Sequence, residues 1–147
     1  MNNVASKVSL VARILLGAMF VFSGLNGFFQ FVTPPPMPVG AGALLGAFLA
    51  SGYLFPFIKG TEVLVGLTLL SGRFVPLALT VLAPLMLNIV LFHAVLAPAG
   101  LAVPLVLMAA HIYLGWTYRD AFAPLFQAKT VTVERPAIAR THLAAAA

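Results

Sequence analysis

Between Leu10 and Tyr118 the chain consists of four long apolar stretches, parted only by short turns and a proline run. They are Leu10–Val32, Tyr53–Leu70, Phe74–Leu96 and Leu101–Tyr118. A helix needs about 20 mostly apolar residues to cross a hydrocarbon core about 30 Å thick, and each stretch comes close to that length. Only 7% of the residues are charged, against about 25% in an ordinary soluble domain. With a mean hydropathy of +1.08, too little polar surface is left to coat a soluble globule, and the chain is too apolar to stay disordered. The pattern predicts an all-α integral membrane protein, an antiparallel four-helix bundle occupying residues 1–126.

The connectors fit this division. Thr33-Pro34-Pro35-Pro36-Met37-Pro38 is unsuited to helix, because proline lacks the N–H and restricts the residue before it. It reads as an extended stretch outside the lipid. Gly40–Ala50 is apolar but too short to span, and Gly42 and Gly46 form a GxxxG. It reads as a short helix on the membrane surface or dipping into it. Ser71-Gly72-Arg73 and Ala97-Pro98-Ala99-Gly100 are tight turns that make spans two, three and four antiparallel neighbours. Pro76 and Pro104 fall in first turns, where a missing N–H costs little. Pro84, inside span three, is expected to kink it.

The net charge is +5, from 8 Lys+Arg against 3 Asp+Glu. All the basic residues except Lys59 lie at segment ends, and no basic run has interleaved aromatics. The charge therefore reads as a topology signal, and nucleic acid is set aside as a partner. Lys7, Arg13, Arg73, Arg119 and Lys129 flank one end of the spans, while the first and third loops carry no charge. The positive-inside rule places both termini in the cytoplasm. Asn26-Gly27-Phe28-Phe29 is not a signal-peptide cleavage site, so the first span is read as uncleaved. Residues 127–147 lose the apolar pattern and are expected to form an unstructured cytoplasmic tail. Arg13-Ile14-Leu15-Leu16-Gly17 echoes Glu62-Val63-Leu64-Val65-Gly66, and each precedes a Ser-Gly; biased composition is the simpler account than duplication.

Polar residues within the spans carry the functional information. An ionisable group at the bilayer centre costs at least about 2.5–3.5 kcal/mol and normally faces a protein interior or a cavity. The candidates are Ser23 and Asn26 on span one, Lys59 and Glu62 on span two, Asn88 and His93 on span three, and His111 on span four. Counted by helical rise, Asn26, Lys59 and Asn88 share a layer roughly 20 Å from the basic end, with Glu62 and His111 nearer the midplane. A pocket of Glu62, Lys59, Asn26, Asn88 and His111 opening outward is the specific expectation. Plainer roles stand beside it. Lys59 and Glu62 are i,i+3 and can neutralise each other, and Lys59 can snorkel toward the interface. Asn26 and Asn88 can be interhelical hydrogen-bond glue. His93 suits the interface, His111 either a satisfied bundle position or a partner for Glu62, and Arg13 a topology anchor.

Several chemistries are excluded. The chain has no Cys, which removes thiolate ligands and dithiol redox chemistry. His93 and His111 differ in depth by about 10 Å, too much for two axial haem ligands. No helix carries a paired His-x3-His or Glu-x2-His, so no metal site is expected. No catalytic triad, P-loop or dinucleotide fingerprint occurs, and no catalytic residue is assigned.

The segment Arg13-x-x-Leu16-Gly17-x-x-Phe20-x-x-Ser23-Gly24-Leu25, followed by Glu62-x-x-x-Gly66-x-x-Leu69-Leu70, resembles the DoxX family of small four-span bacterial membrane proteins. The resemblance runs from about Arg13 to Phe126. Glu62 matches the family's acidic residue on span two. Where the family often carries a lysine shortly after the Ser-Gly of span one, this chain has Gly27; Lys59, one turn before Glu62, is the candidate replacement cation. The resemblance implies a place in the bacterial plasma membrane and association with a membrane oxidoreductase, including quinone-linked systems. A quinone headgroup would suit Lys59, Asn88 and His111 as donors. It implies a non-catalytic accessory subunit, with an oxidoreductase or further copies of the chain as partners. A small proton-coupled transporter using Glu62, and a purely structural membrane protein, are the alternatives.

Overall fold

The computed structural model describes residues 3–33 and 35–128, and within them every regular element is helical. Five helices form the body: α1 (Asn3–Phe29), α2 (Val39–Ala50), α3 (Leu54–Ser71), α4 (Val75–Leu96) and α5 (Ala102–Thr117). A short α6 (Arg119–Phe122) and a 3₁₀ turn at Ala123–Phe126 follow. Of the tail expected over 127–147, residues from 129 onward lie outside the described residues.

Three helices are long and apolar enough to cross a membrane: Ala5–Phe29 of α1, α3 and α4. The fourth expected span is shorter than its apolar stretch. Pro98–Gly100 form a separate 3₁₀ turn, and α5 stops at Thr117, leaving 16 residues. At 1.5 Å per residue that is about 24 Å, short of a core of about 30 Å. The first span is also shifted from its expected place. Its helix begins at Asn3 and ends at Phe29, because Gln30 takes a left-handed φ of 51° and the chain then turns.

Helices α1 and α3 make the closest pairing, and the reason is glycine. The Gly17 and Gly66 backbones meet directly: a Cβ built on Gly66 would lie 2.7 Å from both the Gly17 carbonyl oxygen and the Val21 nitrogen. Gly24 lies against Lys59 and Val63, and Gly72 against Arg13. Contact positions therefore rise along α1 as they fall along α3. Small residues of this kind let backbones approach where no hydrophobic drive separates helix from lipid. The two echoing segments thus meet at their matching glycines.

Helices α4 and α5 complete the body, α4 packing on α3 and α5 on both α4 and α1. The buried core runs through Leu16, Phe20, Leu69, Leu79, Leu82 and Leu114. Large apolar residues also cover the outside, including Phe22, Phe57, Leu64, Leu67, Leu87, Leu91, Val106 and Ile112. Apolar inside and apolar outside is the distribution a bilayer demands. Helix α2 rests lightly on α3 and α4. Its Gly42 and Gly46 have no neighbour within 4 Å, so this GxxxG makes no packing contact within the described residues.

Turn chemistry joins the helices. Gly72, at φ 72°, ends α3 and donates its N–H to the Leu69 carbonyl, 3.2 Å, as a left-handed glycine cap should. The same carbonyl accepts from Arg13 Nη1 at 2.7 Å. Arg13, expected only as a charge at the membrane boundary, caps a neighbouring helix. Pro84 stands inside α4 and leaves the Thr80 carbonyl without its helical donor.

Candidate functional site

The site is built on α3. Residues three apart on a helix share a face, and Lys59 and Glu62 use that spacing. Lys59 Nζ donates to Glu62 Oε1 at 3.0 Å and to Oε2 at 2.9 Å. Its third contact crosses to α1, where Ser23 Oγ accepts at 3.2 Å. Glu62 is 3% exposed, while the Lys59 side chain keeps 18% of its surface. The carboxylate is sealed in the α1–α3 seam, and the ammonium lies between it and the open side. The Phe55 ring stands 5.9 Å from Nζ, within cation–π range.

A glycine makes room for this arrangement. A Cβ on Gly27 would fall 2.5 Å from Lys59 Cγ and Cδ. The lysine stem therefore crosses α1 over the bare backbone of Gly27. The cation delivered from α3 occupies the space that a side chain at residue 27 would need.

Above Lys59 opens a cleft of about 470 Å³ between α1, α2 and α3. This lies within the range of about 300–1,000 Å³ typical of small-molecule sites. Its polar wall is Ser23, Asn26, Gln30 and Thr33; Leu45, Leu49 and Phe55 form the apolar side. Asn26 shapes the rim. Its Oδ1 accepts from the Val32 N–H at 2.8 Å, and its Nδ2 donates to the Val32 carbonyl at 3.2 Å. The segment after α1 is thus folded back, with Phe31 against Phe22 at 5.4 Å between centroids.

The five residues expected to form one pocket divide into three groups. Lys59 and Asn26 line the cleft, with Glu62 directly behind. Asn26 serves its own loop and not a neighbouring helix. Asn88 does not reach this cleft. It is exposed on α4, beside a different hollow lined by Phe57, Ile58, Thr61 and Pro84. His111 does not pair with Glu62, whose carboxylate, among the described residues, bonds only to Lys59. It is half-buried on α5, and its Nδ1 is buried with no hydrogen-bond partner among the described residues. Similar height by helical rise did not bring these groups together: Asn88 on α4 and His111 on α5 have surroundings other than the Lys59 cleft.

His93 forms a fourth environment. Its Nδ1 lies 2.9 Å from the Ile89 carbonyl oxygen, which places the proton on Nδ1. It borders an apolar hollow of about 330 Å³ between α1, α4 and α5, where Ser23 is also present. Ser23 therefore stands between two hollows. Gln30 and Thr33 on the cleft wall were not singled out from the sequence; Ser23 was a candidate, though not as the acceptor for Lys59. For Ser23 a signal existed, since a hydroxyl in the Ser23-Gly24 step sits on the α1 face that meets α3. Among the described residues no group of three or more His, Cys, Asp or Glu side chains is gathered to hold a metal ion.

No family model, curated protein or solved structure matches this chain.

Proposed function

We propose that the chain is a DoxX-like, four-span antiparallel bundle of the bacterial plasma membrane, with both termini cytoplasmic. Its outward cleft takes the polar head of a quinone or another lipophile, and the protein acts as a non-catalytic accessory to a membrane oxidoreductase. The observation that carries the reading is the buried Glu62 carboxylate fixing Lys59 at the floor of the cleft.

A buried ion pair is a poor way to gain stability, because desolvation offsets most of its attraction. Such a pair beside a cleft is better explained by the donor it presents. The weakest of the three ammonium contacts is the one to Ser23, at 3.2 Å. A carbonyl oxygen entering the cleft takes the place of Ser23 without disturbing Glu62. The apolar side of Leu45, Leu49 and Phe55 suits a ring or tail. The opposed contact order of α1 and α3 and the short turn at Gly72 support the antiparallel arrangement. Helix α5 completes a fourth crossing with the turns that flank it, and Trp116 and Tyr118 anchor one end of it.

Two measurements test this. Reporter domains fused to each terminus should both report the cytoplasmic side; reporters on opposite sides would remove the fourth span. Purified protein should bind a short-tailed benzoquinone analogue, and Lys59→Met should weaken binding about tenfold, the worth of one charge-assisted hydrogen bond. Asn88→Ala, outside the cleft, should leave it unchanged. Equal binding by wild type and Lys59→Met would overturn the quinone reading. Proton-coupled uptake into liposomes that disappears in Glu62→Gln would replace it with the transporter reading.

A further inference from the structure

At the end of the bundle opposite the Lys59 cleft, α1 begins and α3 and α5 end. There the structure has another hollow, of about 450 Å³, lined by Ser6, Ser9, Arg13, Gly72, Thr117 and Tyr118. Its chemistry is donor-rich. The Arg13 guanidinium is partly buried and uses only Nη1, on the Leu69 carbonyl. The remaining N–H groups of its planar fork have no protein acceptor, and no carboxylate pairs with Arg13, among the described residues. Ser9 is 6% exposed, and its hydroxyl makes no hydrogen bond within the described residues. The same holds for the hydroxyls of Ser6 and Tyr118. Thr117 directs its own proton back to the Tyr113 carbonyl.

Among the described residues, this cation without a counter-ion and the unused hydroxyls around one hollow lack an anionic acceptor. A guanidinium fork matches a phosphate through two parallel N–H···O bonds. Gly72 helps to open the hollow: a Cβ there would collide with the Arg13 guanidinium. Lys7 and Arg73, both exposed, and Arg119 stand at the same end of the chain's spans. These charges mark the end where a bilayer's headgroups meet the protein, with Arg13 eight residues into the Ala5–Phe29 span. We propose that this hollow is a binding site for the phosphate of an anionic membrane lipid, held by Arg13 with the hydroxyls of Ser9 and Tyr118. Basic hollows at the cytoplasmic ends of spans take such headgroups. The site shares no residue with the Lys59 cleft, so it does not depend on what that cleft binds.

The test uses full-length protein in nanodiscs of phosphatidylcholine containing a minor fraction of phosphatidylglycerol, with co-purifying lipid measured by native mass spectrometry. Wild type should retain phosphatidylglycerol over phosphatidylcholine, and Arg13→Gln should lower that preference about tenfold. Because Arg13 also caps α3, the pair Ser9→Ala with Tyr118→Phe is the companion variant. It leaves the cap intact and should lower the preference several-fold. Asn88→Ala, exposed on α4 and outside this hollow, should keep it. Equal retention of both lipids by wild type would overturn the proposal. So would displacement of the lipid by excess inorganic phosphate, which would make the occupant a soluble anion. An unchanged preference in both Arg13→Gln and the hydroxyl pair would overturn it as well.

Discussion

Glu62→Leu is expected to destabilise the protein by about 3–5 kcal/mol, the usual cost of removing one member of a buried ion pair. The reason is geometric. Lys59 Nζ has two of its three contacts on the Glu62 carboxylate, and the third is a serine hydroxyl at 3.2 Å. Without the carboxylate, an ammonium held against α1 has no counter-charge among the described residues. The companion variant Lys59→Met leaves the carboxylate unpaired and should cost a similar amount. Combining the two should recover most of the loss, since a well-packed apolar pair of similar volume is often as stable as the ion pair it replaces. Unfolding of all four forms in mixed detergent micelles completes a double-mutant cycle. A coupling near zero would mean that the two charges do not depend on each other, and would remove the basis for the cleft's donor.

Gly66→Leu is expected to be nearly as damaging, through packing alone. The first atom added already meets backbone: the Gly17 carbonyl oxygen and the Val21 nitrogen, both at 2.7 Å. Neither can rotate away, so α1 and α3 must separate along the seam that holds the site. Overpacking costs about 1–3 kcal/mol in ordinary cores, and the upper end or more is expected here. The folded fraction after solubilisation should fall sharply, and Gly66→Ala should show a smaller loss of the same kind. Gly46→Leu is the control. No atom lies within 4 Å of a Cβ there, so the folded fraction should stay at the wild-type level. Equal sensitivity at both positions would show that α2 is packed against something the α1–α3 contact does not explain.

These two glycines show where sequence patterns mislead. The only GxxxG considered in the sequence was Gly42 and Gly46, where an added Cβ would meet nothing within 4 Å among the described residues. The working crossing joins Gly17 and Gly66, glycines on different helices that hold the same place in the two echoing segments, an echo that the sequence reading put down to biased composition. Their pairing depends on how far each helix is rotated about its own axis, which no run of residues states.

The polar residues follow the same rule. Lys59 and Glu62 were legible as a pair because both sit on one helix, three residues apart, where local geometry settles the distance. That the Lys59 stem would lie across the bare backbone of Gly27 was not legible from either residue. Asn88 and His111 were grouped with them by depth. Rise per residue gives height along the membrane normal and says nothing about angle around the bundle. Asn88 accordingly faces outward on α4, and His111 stands on α5 away from Glu62. Arg13 was readable as a boundary charge, yet its contact with the Leu69 carbonyl spans 56 residues of chain.

Composition and periodicity thus settled the apolar solvent this chain suits, the rough placement of its main helices, three of them long enough to cross a membrane, and the Lys59–Glu62 ion pair formed within α3. Those properties depend on transfer free energy and on neighbours a few residues apart. Which helix faces touch, which glycines admit a neighbour's backbone, and which polar groups share a cavity came only with the folded chain. They depend on rotations and approaches between segments that are distant in the sequence, where small steric differences decide among arrangements of nearly equal hydrophobicity.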